Sequence, residues 1–365
     1  MCRQMALIDI ARVPERARGS VARGWHWLRG LAMVALLAAS LAAGAGHAQT
    51  PLVVFSTLDL EQIEPFRKAF EADNPDIKVI LQRDSTGVVA ARVMAEKANP
   101  SADIIWGLAV TSMIVLDREG ILMPYAPKGL DMIKASFRDA KTPPSWVGMD
   151  GWASALCFNT VEAAKLGLAR PASWHDLLDP KYKNRIVMPH PASSGTGFFA
   201  VSAWIQLFGE AKAWEFMDGL DQNISTYVHS GTQPCRLAGA GEFPIGISSE
   251  VSYLNVKASG APVDALLMKE GGGWDMDATA IIKGAKNVDA ARRLADWAAS
   301  RKANELYAGH LGIVAMEGIA TSQPNYPPGV EASLIKNDFA WAADNRARIL
   351  AEWQRRYEGK AAKRN

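Results

Sequence analysis

Between Met188 and Phe198 the chain reads MPHPASSGTGF. A buried strand end and a proline-rich turn lead into Ser193-Ser194-Gly195-Thr196-Gly197, which opens an amphipathic helix through Trp204, Leu207 and Phe208. Small hydroxyl residues and glycines at a helix start leave backbone N–H groups unpaired. They also point the positive end of the helix dipole outward and let a ligand approach closely. The chemistry on offer is capture of an anion. A plainer reading stands beside it, with Ser193 or Ser194 as an N-cap and the glycines making the turn. Signs of turnover are few. Ser194 does not sit in a nucleophile elbow, because Ala192 stands where G-x-S-x-G needs glycine. The six histidines are scattered without metal-ligand spacing, and His190 within this stretch and His229 beyond it read as polar turn residues. No dinucleotide or P-loop fingerprint is found. The expectation is therefore a binding protein with no catalytic residue, no cofactor and no metal.

The elements that must position this stretch follow from the hydrophobic pattern. Leu52-Val53-Val54-Phe55 is a short strand, and Asp59 with Gln62 forms a capping box ahead of Leu60, Ile63, Phe66 and Phe70 at helical spacing. Ile77, Val79 and Leu81 alternate as a second strand, Val88 to Ala98 is helical, and Asp103 to Gly107 is a third strand followed by a helix that Gly120 ends. Strands alternating with helices predict an α/β lobe with parallel pairing, whose ligand sits outside the carboxyl ends of the strands. Those ends carry Ser56-Thr57, Asp84-Ser85-Thr86, and Trp106-Gly107 leading to Thr111-Ser112.

The run Pro143 to Asn159 reads as turns and then a strand leaving this lobe. A second lobe follows, with a helix capped at Thr160, a capping box at Ser173 to Asp176, the strand Ile186-Val187-Met188, and the opening stretch with its helix. It continues with a polar segment Thr226 to Gln233, a helix starting near Cys235, and a strand ending at Ser248-Ser249-Glu250. Trp274-Asp275 is read in a glycine-rich loop, Ala278 to Ile282 as a strand, and Asn287 as the cap of a long helix reaching Leu306. The expected organisation is lobe 1 from residues 51–150 plus 267–310, lobe 2 from 151–266 plus 311–357, and a frayed tail at 358–365.

Residues 1–48 read differently. Six arginines precede an apolar run from Leu31 to Ala43 and then Gly46-His47-Ala48. These are the three parts of a secretory signal peptide, with cleavage expected after Ala48 and a periplasmic destination. Taking its six Arg and two acids from the 40 basic and 38 acidic side chains of the whole chain leaves 34 and 36. No basic stripe remains for nucleic acid, so an anion must be held by local donors. In an oxidising compartment Cys157 and Cys235 are a candidate disulfide, and each also reads as a small buried hydrophobe.

With those segments in hand, the chain resembles the periplasmic solute-binding proteins of ABC importers, within the iron- and polyamine-binding-like group. The resemblance rests on Ser56-Thr57-Leu58-Asp59, Asp103 to Gly107, Ala172 to Leu178, Ser193 to Gly197 and Gly246-Ile247-Ser248. It implies a two-lobed α/β fold of the periplasmic-binding-protein type II, with mixed sheets flanked by helices and a ligand cleft between the lobes. Arg83 to Gly87, Pro144 to Asp150, His229 to Cys235, Gly273-Trp274-Asp275 and Leu334 to Trp341 are similar to the 2-aminoethylphosphonate-binding proteins. That likeness implies a phosphonate ligand, a monomer that closes on it, and delivery to ABC permease subunits in the inner membrane. Ser249 stands where that group has a bulky apolar residue. Ferric members of the wider group use adjacent tyrosines, whereas Ser249 to Leu254 holds Tyr253 alone, which argues against iron.

The ligand so implied carries a phosphonate and, two carbons away, an ammonium. For the phosphonate the candidates are Ser193, Ser194, Gly195 and Thr196, with Ser85, Thr86 and Thr57 from the facing lobe and Ser230 and Thr232 as further donors. For the ammonium they are Glu250 and Asp275, with Tyr253, Trp106 and Trp274 as an aromatic wall. Alternatives are a carrier of another small solute (polyamine, thiamine or ferric ion) and an exported phospho- or phosphono-ester hydrolase. Thr196→Val is expected to weaken phosphonate binding by roughly 1.5–3 kcal/mol, the scale of a hydrogen bond to a charged group; isothermal titration checks it, and an unchanged affinity removes Thr196 from the donor set.

Overall fold

The structure, a computed structural model, describes residues 49–363; the expected leader lies outside the described residues. The chain begins with β1 (Thr50–Ser56), α1 (Leu60–Asp73), β2 (Ile77–Arg83), α2 (Thr86–Ala95), β3 (Ile104–Ala109) and α3 (Val110–Arg118). Next come β4 (Leu122–Met123), β5 (Val147–Asn159), α4 (Thr160–Lys165), β6 (Ile186–Pro189), α5 (Gly195–Phe208), α6 (Glu210–Asn223) and β7 (Ile224–Val228). Then follow α7 (Gln233–Gly239), β8 (Ile245–Ser249), α8 (Glu250–Ala258), β9 (Val263–Leu266), β10 (Trp274–Ile282), α9 (Val288–Ala298), α10 (Arg301–Tyr307), β11 (Ile313–Val314) and α11 (Phe339–Tyr357).

The sheet runs β2-β1-β3-β10-β5-β8-β6-β7. Its first half pairs β1 in parallel with β2 and β3, and its second pairs β6 in parallel with β7 and β8. Between them β10 and β5 run antiparallel, so the sheet is mixed. The long strand β5 belongs to both halves. Val147 to Ala153 face β10, and Ser154 to Phe158 face β8.

Strand alternation builds the cores. On β1, Leu52 and Val54 point to the layer of α1, α9 and α10, where Phe66, Phe70, Trp106, Trp297 and Tyr307 interlock edge to face. Val53 and Phe55 point the other way, against Val89, Met113 and Leu116 of α2 and α3. In the second half Leu156, Ile186, Met188 and Ile247 meet Phe198, Val201 and Trp204 of α5 and Ile349 and Trp353 of α11. On the opposite face Cys157 of β5 and Cys235 of α7 form a disulfide, with Cα atoms 5.2 Å apart, beneath Tyr253 and Leu254 of α8.

Several expectations need correction. Asn159, not Thr160, caps α4, its side chain accepting from the N–H groups of Val161 and Glu162 at 3.0 and 2.9 Å. The polar segment at Thr226 is strand β7, paired with β6. Trp274 and Asp275 begin β10 instead of lying in a loop, since Trp274 pairs with Ala153. Asn287 stands at the N-cap of α9 but its amide donates to Asp103 at 3.2 Å instead of bonding the helix start, and the helix breaks before Ser300, which caps α10. Ile313, Ala315 and Met316 lie in the first half's core, so the chain stays with that half beyond position 310. The tail is docked as far as the structure describes it: Ala361 bridges Tyr227 of β7, and Lys360 donates to the carbonyl of Ile224 at 3.0 Å.

The disulfide closes a sequence separation of 78 residues. Chain-entropy arguments put its contribution at about 2–5 kcal/mol. The double variant Cys157→Ala/Cys235→Ala is expected to lose that much unfolding free energy in urea and to be indifferent to reducing agent, whereas the natural chain is not; equal stability with and without the bond contradicts this.

Candidate functional site

The carboxyl ends of β1 and β3 face those of β6, β7 and β8, and the cleft between them holds about 610 Å³ counted to its open mouth. Four helices begin there. Asp59 and Gln62 stand at the start of α1, Ser85 and Thr86 at α2, Ser194 to Thr196 at α5, and Ser249 and Ser252 at α8. The α1 start is a true capping box, with Gln62 accepting from the Asp59 N–H at 2.9 Å. The Asp59 carboxylate also pairs with Arg83, which donates to the carbonyl of Leu58 at 2.8 Å. The Ser194 hydroxyl caps α5 by accepting from Gly197 N–H at 3.2 Å, and Ser249 caps α8 by accepting from Ser252 N–H at 3.3 Å.

The loop Ser230-Gly231-Thr232 completes the donor wall, and its two hydroxyls lie 3.1 Å apart. Glycine is required at its centre. A Cβ on Gly231 would stand 2.5 Å from the Thr196 hydroxyl and 2.9 Å from that of Ser194. The two walls also meet directly: Gly87 N–H donates to the Ser193 carbonyl at 2.8 Å, and Arg236 of α7 reaches Asp59 at 3.2 Å. A side chain on Gly87 would run into the Ala192 carbonyl.

Of the residues assigned to the anion, Ser194, Gly195, Thr196, Ser85, Thr86, Thr57, Ser230 and Thr232 line the cleft. Ser193 does not; its hydroxyl donates to the His229 carbonyl at 2.9 Å and it serves the seam with Gly87. His190 is likewise turned away, its Nε2 lying 3.0 Å from Glu358.

None of the five residues assigned to the ammonium lines the cleft. Trp106 points into the first core and donates to the Tyr307 hydroxyl at 3.2 Å. Trp274 donates to the Ile335 carbonyl at 3.0 Å and rests edge-on against Phe339. Tyr253 covers the disulfide. Glu250 is buried, with Oε2 accepting from Ala153 N–H at 2.7 Å, and burial pushes its carboxyl up to about 8 against that bond. Asp275 accepts from the Thr111 hydroxyl at 2.7 Å; burial raises it to about 6, opposed by that bond, by Met276 N–H and by the charge of Arg346.

The cleft instead presents Asp150 and Trp152 of β5 and Asp277 of β10, three residues the sequence reading did not select. Asp277 is the register partner of Asp150. Both carboxyl groups are held up by burial first and by neighbouring acids second. A signal was present in GMDGW and WDMD, since an acid inside an apolar strand is rarely there for packing. With Asp59 these acids set three carboxyls against the one guanidinium of Arg83 in the lining. Hydroxyls, backbone N–H groups and paired carboxyls suit reversible capture of a polar solute. Among the described residues no group of three His, Cys, Asp or Glu side chains could hold a metal ion, and no helix is long and apolar enough to cross a membrane.

Comparison with known proteins agrees with this geometry. Residues 66–323 match the family model described as bacterial extracellular solute-binding protein. An uncharacterized protein of Haemophilus influenzae is 34% identical over 329 residues, covering 87% of this chain and 94% of its own. The periplasmic binding protein AfuA from Actinobacillus pleuropneumoniae, solved with exogenous fructose 6-phosphate bound, is 30% identical with a TM-score of 0.79, covering 85% of this chain and 99% of that one. The periplasmic binding protein P5PA is 25% identical with a TM-score of 0.77, covering 85% of this chain and all of that one (100%). The described chain has the two-lobed α/β architecture of these proteins.

Gly231→Ala is expected to weaken capture of any ligand held by the Thr196 and Ser194 hydroxyls by at least about tenfold, on the scale of one charged hydrogen bond, and to cost proportionately less in thermal stability. Titration and a melting curve on the same sample check it; loss of stability in step with affinity would point to a purely structural glycine.

Proposed function

Because this chain belongs to the bacterial extracellular solute-binding proteins, of the kind that serves ABC importers, we propose that it captures 2-aminoethylphosphonate or a close aminoalkyl phosphonate in its cleft and delivers it to a membrane permease. The observation that carries this reading is the charge pattern of the cleft. Four helix starts and a hydroxyl loop favour a small oxyanion, yet the lining holds Asp59, Asp150 and Asp277 with Arg83, and the cation nearest Asp59 beyond it, Arg236, is tied to Asp59 itself. A ligand that was only an anion would leave the buried carboxyls of Asp150 and Asp277 without a donor. A zwitterion satisfies both.

The donor walls come from opposite halves of the sheet, with Ser85 and Thr86 on one side and Ser194 to Thr196 on the other. A phosphonate bridging them completes its donor set only when the walls meet, so binding free energy favours the closed arrangement. The seam between Gly87 and Ser193 then lets backbone touch backbone as they close. Export to the periplasm follows from the same reading, since a permease in the inner membrane takes its solute from that side.

A second reading is favoured by the likeness to AfuA: a sugar phosphate, whose hydroxyls would donate to the acids of the cleft. Thermal shift with 2-aminoethylphosphonate, fructose 6-phosphate, inorganic phosphate, putrescine and ferric citrate separates the cases. At a hundredfold excess over Kd the true ligand adds about 2.7 kcal/mol of stability. The expected outcome is a shift with 2-aminoethylphosphonate that exceeds all others. A shift with fructose 6-phosphate alone moves the assignment to sugar phosphates, and silence with every phosphorus compound sinks both.

A further inference from the structure

We propose that Asp150 and Asp277 together form a receptor for a primary ammonium group at the floor of the cleft. This deepens the phosphonate reading above and rests on it.

The geometry comes from the sheet. β5 and β10 run antiparallel, and their register sets Asp277 directly opposite Asp150. Directly opposed residues hold their Cβ atoms about 5 Å apart, close enough for two carboxyls to share one cation. Both residues line the cleft, with exposures of 1% for Asp150 and 7% for Asp277. On each, Oδ1 is buried without a hydrogen-bond partner. Two orphaned carboxylate oxygens lining one cavity would be costly in an empty protein, and a donor from the ligand relieves them. Trp152 lies two residues beyond Asp150 on the same face of β5, so its ring also borders this space, as suits an ammonium.

The charges around the pair explain why it holds protons. Facing it are Glu250 of α8 and Asp275 of β10, with the phenols of Tyr307 on α10 and Tyr326 in the loop before α11. On the cleft wall Arg83 is occupied by Asp59, which Arg236 also reaches. Burial first, and these acids second, hold both carboxyls above the usual range, so protons compete with an arriving ammonium for the pair. An arriving ammonium reverses the balance. As the carboxyls ionise, the protons they held leave to water, and the ligand keeps its own three N–H donors. Acid opposes this step, so preference for the amine falls as pH is lowered.

Isothermal titration of the whole mature protein with 2-aminoethylphosphonate and with 2-hydroxyethylphosphonate tests the proposal without any variant. The amine is expected to bind at least about tenfold tighter, the scale of a charged hydrogen bond, with the margin shrinking toward acid. Asp150→Asn and Asp277→Asn are expected to erase most of that margin while retaining the hydroxyl compound. In two buffers of different ionisation enthalpy, the natural protein should release more protons per 2-aminoethylphosphonate bound than Asp277→Asn does. Equal affinities for the two compounds, or equal proton counts in the two proteins, overturn the receptor while leaving the phosphonate reading intact. Failure of both compounds to bind overturns that reading and this proposal with it.

Discussion

Four helices begin at one small space, and each brings backbone N–H groups that no residue of its own helix can satisfy. Partial positive charges of like sign are thus gathered where they repel one another, at the starts of α1, α2, α5 and α8. The fold holds them there because the carboxyl ends of two parallel strand sets point at each other. Some of the demand is met internally. Ser194 and Ser249 bond to their own helix starts, and the Gln62 side chain answers Asp59 N–H. The remainder is what an oxyanion would answer, and it is supplied without a bare cation in the middle of the site.

The acids are the counterweight. Asp150 and Asp277 sit on the two antiparallel strands that join the sheet halves, so they approach the cleft from below while the helix starts approach from its sides. Glu250 and Asp275 lie just outside that surface, each tied to a backbone or hydroxyl donor. This layering keeps a negative floor under a positive wall. It distinguishes one end of a bound molecule from the other by charge, before any detail of shape is considered.

Much of the positive wall was legible in the sequence, because a helix start is a local event. Ser194-Gly195-Thr196 and Ser85-Thr86 announce themselves by hydroxyls and glycines ahead of an apolar helical run, and the structure puts them in the cleft. The negative floor was not legible, since Asp150 and Asp277 become neighbours only through the pairing of strands distant in the chain. Glu250 and Asp275 stood next to turns and looked available, but their exposures are nil. Trp106 illustrates the same failure: it ends a strand pattern beside polar residues, and alternation sends it to the core face. Strand β7 was lost because Ser225 and Thr226 make it polar, and the docking of the tail depends on carbonyls of Asp221 and Ile224 that no reading of KAAKRN reveals.

The strand β5 gives both halves of the sheet a common member, passing from one to the other between Ala153 and Ser154 without a loop. A joint of that kind has no swivel. The carboxyl of Asp150 and the side chain of Trp152 stand within a few residues of that crossing. A ligand that grips them therefore pulls on the one strand that both halves share.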